Sequence, residues 1–456
     1  MCATGNGFKQ ALKATVFGLA LLGLGTTPSY AITIEDAIRQ ALGTNPDIGV
    51  LASNREAVDQ ELRQARGLYL PQIDIEAGVG GANRDDSSTR ARTGGDDNLF
   101  VRESRATLQQ RLFDGFEAGA TVERDMARVE SAAGRVLENS EVLALDAIGA
   151  FLRVLRGREL VSLAERNLSI HLDILGSIQA RLRGGGGSRA DVSQTQTRVA
   201  RSRATLTDNY NTLRDAEAEY TRIVGQFPND LQPATTPSDS LPEDLETAVL
   251  LAGRNNLTTK IFEADVRTAD AEVELSEVPL YPILSLEAET EYNDGNTGLD
   301  TYEFNSQVML RVRWNLFRGG IDRAARQEAL SRLNESKNRR LQSHLDSEQE
   351  MRQSWFALEA ARQSVVDLQS AVKFAKDTRD AYVKQFEVAQ RTLLDVLDAE
   401  NELFVSASEL VTAKTNEQLA SFRILAVSGV LMETLGIEPP AQARVKHKGW
   451  FAGLAD

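Results

Sequence analysis

Apolar and polar positions follow two different rhythms along this chain, and the rhythms recur in the same order twice. From Thr33 to Gly67 the apolar positions fall at helical spacing, with Ala37, Ile38, Ala41 and Leu42 on a stripe that Ala57, Val58, Leu62 and Ala65 continue. Leu70-Pro71 ends that pattern and the period drops to two. Ile73, Ile75, Ala77 and Val79 then share one face, and Gln72, Asp74, Glu76 and Gly78 the other. A Gly- and Asp-rich polar loop, residues 81–98, leads to a second alternation, in which Ala106, Leu108 and Leu112 oppose Arg105, Thr107, Gln109 and Arg111. The two alternations predict a β-hairpin over residues 70–112.

From Phe116 to Leu182 there is no proline, and apolar or small residues recur at Val122, Met126, Val129, Ala133, Val136, Leu143, Ala147, Ala150 and Val154, with Ser140 as the polar member. Alternating steps of four and three define a heptad seam. A helix over 116–182, rising about 1.5 Å per residue, is roughly 100 Å long, a rod that no compact globular domain needs. Gly184 to Gly187 interrupts it, and Ser188 starts another helix running to residue 224. Helices over 33–67 and 188–224 stacked end to end match the length of the rod. The four glycines therefore read as a tight turn at one extremity of the rod, in place of the flexible linker they would suggest alone.

After a connector, residues 227–242, the design recurs over 243–436, so that residues 32–226 form the first copy. Pro71 maps onto Pro282, an offset of 282 − 71 = 211 that also carries Asn45 onto Asn256 and Tyr69-Leu70-Pro71 onto Leu280-Tyr281-Pro282. Beyond the hairpin the offset is 204, carrying Leu112-Phe113-Asp114-Gly115 onto Leu316-Phe317-Arg318-Gly319, Phe151 onto Trp355 and Asp191-Val192 onto Asp395-Val396. The second copy is thus predicted to hold a hairpin over 282–316, a long helix over 320–386 and a helix over 392–430, with a loosely ordered tail over 437–456.

The second hairpin carries the clearest alternation. Tyr302, Phe304, Val308, Leu310, Val312, Trp314 and Leu316 share one face, interrupted by Ser306, against Glu303, Asn305, Gln307, Arg311, Arg313 and Asn315. Such a strand suits the boundary between lipid and a watery lumen. A strand of a soluble sandwich alternates comparably, but four strands on long rods leave little sandwich core. Four strands are also too few for a membrane barrel, for which about eight is the minimum; three copies supply twelve.

Composition fixes the address. Lys9 and Lys13, an apolar run over 14–25 and the small residues of Ser29-Tyr30-Ala31 read as a cleaved leader, residues 1–31. Cys2 precedes the apolar core, so the mature chain is expected to carry no lipid and no cysteine. No other stretch approaches a transmembrane helix, which leaves any membrane crossing to strands. The chain has 51 Lys+Arg and 66 Asp+Glu; removing the two leader lysines gives 49 − 66 = −17, an unsuitable charge for binding nucleic acid. His171, His344 and His447 are scattered without ligand spacing, and the tetraglycine lacks the Lys-Ser or Lys-Thr of a phosphate loop. No enzyme, metal or cofactor is expected.

Near the end of each copy stands a helix-start signature. Thr392 with Asp395, and Ser188 with Asp191, have the three-residue spacing of a capping box. Arg391 and Asp398 have no equivalent in the first copy, where Gly187 and Gln194 stand, so capping does not account for them.

The leader, the duplicated order of elements, the tyrosine and proline at the strand starts, the Leu-Phe-Asp-Gly and Leu-Phe-Arg-Gly strand ends, and Asp395-Val-Leu-Asp398 together resemble the TolC family of outer-membrane efflux and secretion ducts. The resemblance spans residues 32–436. It implies a mainly α protein with a membrane β-barrel part: a homotrimer whose twelve-stranded barrel sits in outer-membrane lipid and whose helical tunnel crosses the periplasm. It implies docking on an inner-membrane transporter through a periplasmic adaptor. It also implies a gate at the helix tips, where Asp395 and Asp398 would ring the constriction and Arg391 would contact Asp191 of a neighbouring helix pair. Phe386 stands where the family often has a tyrosine, so that hydroxyl contact is missing. Six carboxylates facing one axis would attract cations, which predicts a cation-selective constriction blocked by divalent ions. A pore-free periplasmic coiled-coil adaptor is the competing reading; it accounts for the rods and the leader but not for the lipid-style strands.

Overall fold

The computed structural model describes residues 31–445 apart from 86, 88–89, 92–96 and 296–301. The expected leader, except Ala31, and the end of the tail lie outside the described residues. The first copy comprises α1 (Ile34–Thr44), α2 (Pro46–Gly67), β1 (Gln72–Arg84), β2 (Asp97–Phe113), α3 (Glu117–Arg183) and α4 (Arg189–Val224). The second comprises α5 (Leu245–Asn255), α6 (Leu257–Glu277), β3 (Ile283–Asp294), β4 (Tyr302–Arg313), α7 (Ile321–Glu387) and α8 (Leu393–Val427), followed by the short α9 (Leu431–Thr434).

The stripe read as one helix over 33–67 is two. Asn45 ends α1, and its side chain accepts a hydrogen bond from the Asp47 amide at 2.9 Å to start α2. Pro46 takes the first helical position, where a missing N–H costs nothing. Asn256 repeats the break between α5 and α6, accepting from the Thr259 amide at 3.0 Å. The long helices α3 and α7 have 67 residues each, so each runs roughly 100 Å at the usual rise.

Helix α3 packs against α2, α4, α6 and α8, and α7 against α5, α6 and α8. The largest core lies midway along the rods, where Ile38, Ile148, Phe151, Tyr220, Phe422 and Leu431 are fully buried. Seam positions Val136, Ala147, Ala150 and Val154 of α3 belong to this buried set or continue it. The equivalent helix of the second copy is covered far less: Leu341, Leu345, Phe356, Val366 and Phe374 of α7 are 55–63% exposed.

The four strands form one antiparallel sheet in the order β1-β2-β3-β4, so β2 and β3 join the two copies and β1 and β4 are open edges. The register stacks Ile73 on Leu108, Leu108 on Ala288 and Ala288 on Val308, which puts the apolar positions of all four strands on one face. That face is bare, with Ile75 79% and Val308 73% exposed. Polar partners meet on the other: Arg105 contacts Glu289 at 3.1 Å and Glu291 at 2.8 Å, and Arg311 contacts Glu287 at 2.6 Å. Strand β4 stops at Arg313, so Trp314 and Leu316 do not extend its apolar face. The Trp314 indole instead donates to the Leu280 carbonyl at 3.1 Å, tying the strand end to the helix that leads into β3. No described helix is long and apolar enough to cross a membrane.

Candidate functional site at the helix tips

At the end of the rods remote from the sheet, each copy reverses direction in a few residues. In the first copy the amides of Gly185 and Gly186 donate back to Leu182 and Arg181 carbonyls at 3.1 and 3.0 Å. Gly185 is left-handed at φ +80°, and a Cβ on Gly187 would lie 2.9 Å from the Leu182 nitrogen; two of the four glycines are therefore set by the turn itself. The second copy makes the corresponding turn with Ala389, 185 + 204, held at φ +60°.

The helix that follows each turn begins with a reciprocal cap. The Ser188 hydroxyl accepts from the Ala190 amide at 3.0 Å, while the Ser188 amide donates to Asp191 at 3.3 Å. Thr392 and Asp395 exchange the same bonds, the Asp395 amide donating to the Thr392 hydroxyl at 3.3 Å and the Thr392 amide to the Asp395 carboxylate at 3.2 Å. The Thr392 hydroxyl also donates to that carboxylate at 2.8 Å. These bonds to the charged form, with Arg391 adding attraction at 3.8 Å, lower the Asp395 pKa below its ordinary value.

Arg391 is held by its own hairpin. Its Nε donates to Gln385 at 3.0 Å, and its guanidinium lies 4.3 Å from the centre of the Tyr382 ring, a cation–π distance. Within one chain it does not pair with Asp191, whose carboxylate serves its cap. Phe386 fills an apolar contact between the two tips: it packs on the cluster of Ile178, Leu393 and Leu397, and the Arg181 guanidinium of α3 sits 4.6 Å from its ring centre. A phenyl ring suits both neighbours without a hydroxyl.

Asp398 has a partner that the motif did not suggest. Arg198 of α4 donates to its carboxylate at 2.5 Å, joining the first copy to the second. Arg198 stands seven residues after Asp191, two helical turns along the same face. Two residues beyond Asp398, on the other side of α8, the buried Glu400 accepts from Arg379 of α7 at 2.7 Å and staples the second hairpin. Among the described residues no group of three or more His, Cys, Asp or Glu side chains is arranged to hold a metal ion.

A family model described as outer membrane efflux protein matches the chain twice, over residues 37–226 and 251–430. The chain is similar to the outer membrane efflux protein BepC of Brucella suis biovar 1 (strain 1330), with 26% identity over 97% of both chains. It is similar to the alkaline protease secretion protein AprF of Pseudomonas aeruginosa, with 25% identity over 93% of this chain and 90% of that one. Its fold matches the solved structure of the Campylobacter jejuni CmeC outer membrane channel with a TM-score of 0.75 over 94% of both chains, at 12% identity.

Proposed function

Since the chain belongs to the outer membrane efflux protein family, and so works as an export channel in the outer membrane, we propose that three copies close into one duct that carries cargo across the periplasm and out of the cell. The sheet carries this reading: four strands with two open edges and a bare apolar face, mounted on rods of 67 residues. An open edge is a template for another strand, and lipid is the solvent that a bare apolar barrel face requires. Joining β4 of each protomer to β1 of the next gives twelve strands without a free edge. The pore-free adaptor reading is set aside, because the matched family and the solved neighbours are outer-membrane proteins. Outer-membrane fractions run on a denaturing gel with and without boiling test the proposal; a heat-labile trimer is expected, and a monomer under both conditions would refute it.

In this reading the duct receives cargo from an inner-membrane transporter through a periplasmic adaptor, and no enzymatic step is involved. Similarity to a protein named for protease secretion favours a secretion duct over a purely drug-exporting one. The helix tips form its gate: Asp395 and Asp398 line the constriction, Ser188 and Thr392 set the helix starts beside it, and Phe386 holds the two tips together. Arg391 is poised to reach Asp191 of the adjoining protomer. Arg391→Ser should then raise single-channel conductance, whereas unchanged conductance would remove Arg391 from the gate.

A further inference from the structure

The acidic constriction expected from the motif takes no account of Arg198. Its guanidinium meets Asp398 at 2.5 Å, with the arginine side chain 22% and the aspartate 56% exposed. The same two helices, α4 and α8, also meet in the apolar cluster of Ile178, Leu393 and Leu397, into which Val192 of α4 packs. Both partners arise from divergence of the two copies. The counterpart of Arg198, 198 + 204, is Glu402, and that of Asp398, 398 − 204, is Gln194. The cation and the anion that meet therefore each occupy a position whose repeat-mate carries the opposite or no charge. The equivalent junction, where α8 of one chain would face α4 of the next, has Glu402 and Gln194 and no such pair.

We propose that Arg198 is a specificity-determining residue of the channel: it balances the charge of Asp398 inside each protomer and so limits the cation selectivity and divalent sensitivity of the constriction. This rests on the reading of the tips as the gate. With Arg391 beside Asp395 and Arg198 on Asp398, each of the two acids has a basic neighbour in its own chain. The tip is thus nearer to charge balance than a bare ring of six carboxylates, whose mutual repulsion and pull on cations would be largest at short range. The Arg198–Asp398 pair also ties the two hairpins of one protomer, leaving the junction between protomers as the less restrained one.

The test uses the assembled channel in planar bilayers, with reversal potential in a KCl gradient and block by Mg²⁺ as readouts. Arg198→Gln should shift the reversal potential toward cation selectivity and lower the half-blocking Mg²⁺ concentration by about ten-fold, equivalent to about 1.4 kcal/mol of added attraction. Asp398→Asn, which leaves Arg198 unbalanced, should shift selectivity the other way. The double variant should return close to the unmodified channel, and Arg198→Lys should match it throughout. A merely structural bridge would move conductance or assembly without this crossed pattern of selectivity. Should Arg198→Gln fail to assemble, the double variant compared with Asp398→Asn decides: unchanged selectivity on removing Arg198 from the asparagine background overturns the proposal. If Asp395→Asn weakens block while Arg198→Gln changes neither readout, the balancing role of Arg198 falls and the gate reading stands. If none of these variants changes selectivity or block, the gate reading falls and the proposal with it.

Discussion

Replacing Glu141 with glutamine should stabilise the protein above neutral pH and leave it unchanged in acid. Glu141 lies on α3 in the middle of the rods and is 5% exposed. Both of its carboxylate oxygens face the Met432 amide at the start of α9, at 3.3 Å, and among the described residues no cation pairs with it. Glu138, Glu350 and Arg423 line the adjoining cleft, but Arg423 contacts Glu350 at 3.4 Å and Glu138 accepts from the Thr258 hydroxyl. Burial, helped by the nearby charge of Glu433, outweighs the backbone donors at Met432 and Leu431 and raises the pKa from 4.5 to about 7.

A folded-state pKa above the unfolded one means that the native protein binds the proton more tightly, so stability is lost as pH rises from 4.5 through 7. The shift, 7 − 4.5 = 2.5 units, corresponds to roughly 3 kcal/mol per protomer once Glu141 is fully ionised. Glutamine keeps an acceptor for the Met432 amide and carries no charge to desolvate. Thermal unfolding of detergent-solubilised protein, with and without Glu141→Gln, should show melting temperatures that coincide near pH 4 and separate between pH 5 and 8, the variant being higher. Parallel curves with a constant offset would show that ionisation of Glu141 carries no such cost.

The sheet, the caps and the turns make three further predictions. Val308→Arg puts a charge on the bare apolar face and should cost about 2–4 kcal/mol if it sits at mid-membrane depth, abolishing heat-labile trimer in membrane fractions, while Gln307→Arg on the polar face leaves trimer yield intact. Thr392→Ala removes the cap of α8 and should cost about 1 kcal/mol, seen as faster hydrogen exchange confined to the first turn of that helix; Thr392→Asn should restore protection. Gly185→Ala forces a side chain into the left-handed region and should lower stability by about 1 kcal/mol, whereas Ala389→Gly relieves the same conformation and should be neutral or slightly stabilising by denaturant titration, since the freer unfolded glycine offsets part of the gain.

The fold class was legible because two periodicities, 3.5 and 2, cover most of the chain and recur in one order, so each copy corroborates the other. What escaped was of two kinds. The break at Asn45 is hidden because Pro46 is compatible with a first helical turn, and the apolar stripe continues across the interruption. The tip contacts are hidden because they are tertiary. Arg198 and Asp398 are 200 residues apart, and aligning the copies matches Asp398 with Gln194, which directs attention away from its partner. Tyr382 could have been found: it precedes Phe386 by four residues, so the two share a helix face, and a nearby aromatic is a plausible seat for a guanidinium when the expected tyrosine is absent. The capping boxes, by contrast, span three residues and need no tertiary information.

The unequal covering of the two long helices bears on how the duct assembles. In the proposed trimer each α7 must meet the first copy of the next chain, and its Leu341, Leu345, Phe356, Val366 and Phe374 are left to bury there. With 55–63% of each still exposed, completing their burial gives about 1–2 kcal/mol apiece, hence roughly 5–10 kcal/mol per interface before any cost. Association itself costs on the order of 4–15 kcal/mol. The helical stripe alone therefore sits close to break-even, and the balance must come from elsewhere in the same interface. The open edges of β1 and β4 are the remaining source, since in lipid every unpaired strand N–H and C=O is a penalty that edge closure removes. It follows that the tunnel and the barrel should close in one coupled step: a variant that blocks the β1–β4 junction should also leave the helical rods unassociated, although the substitution lies far from them.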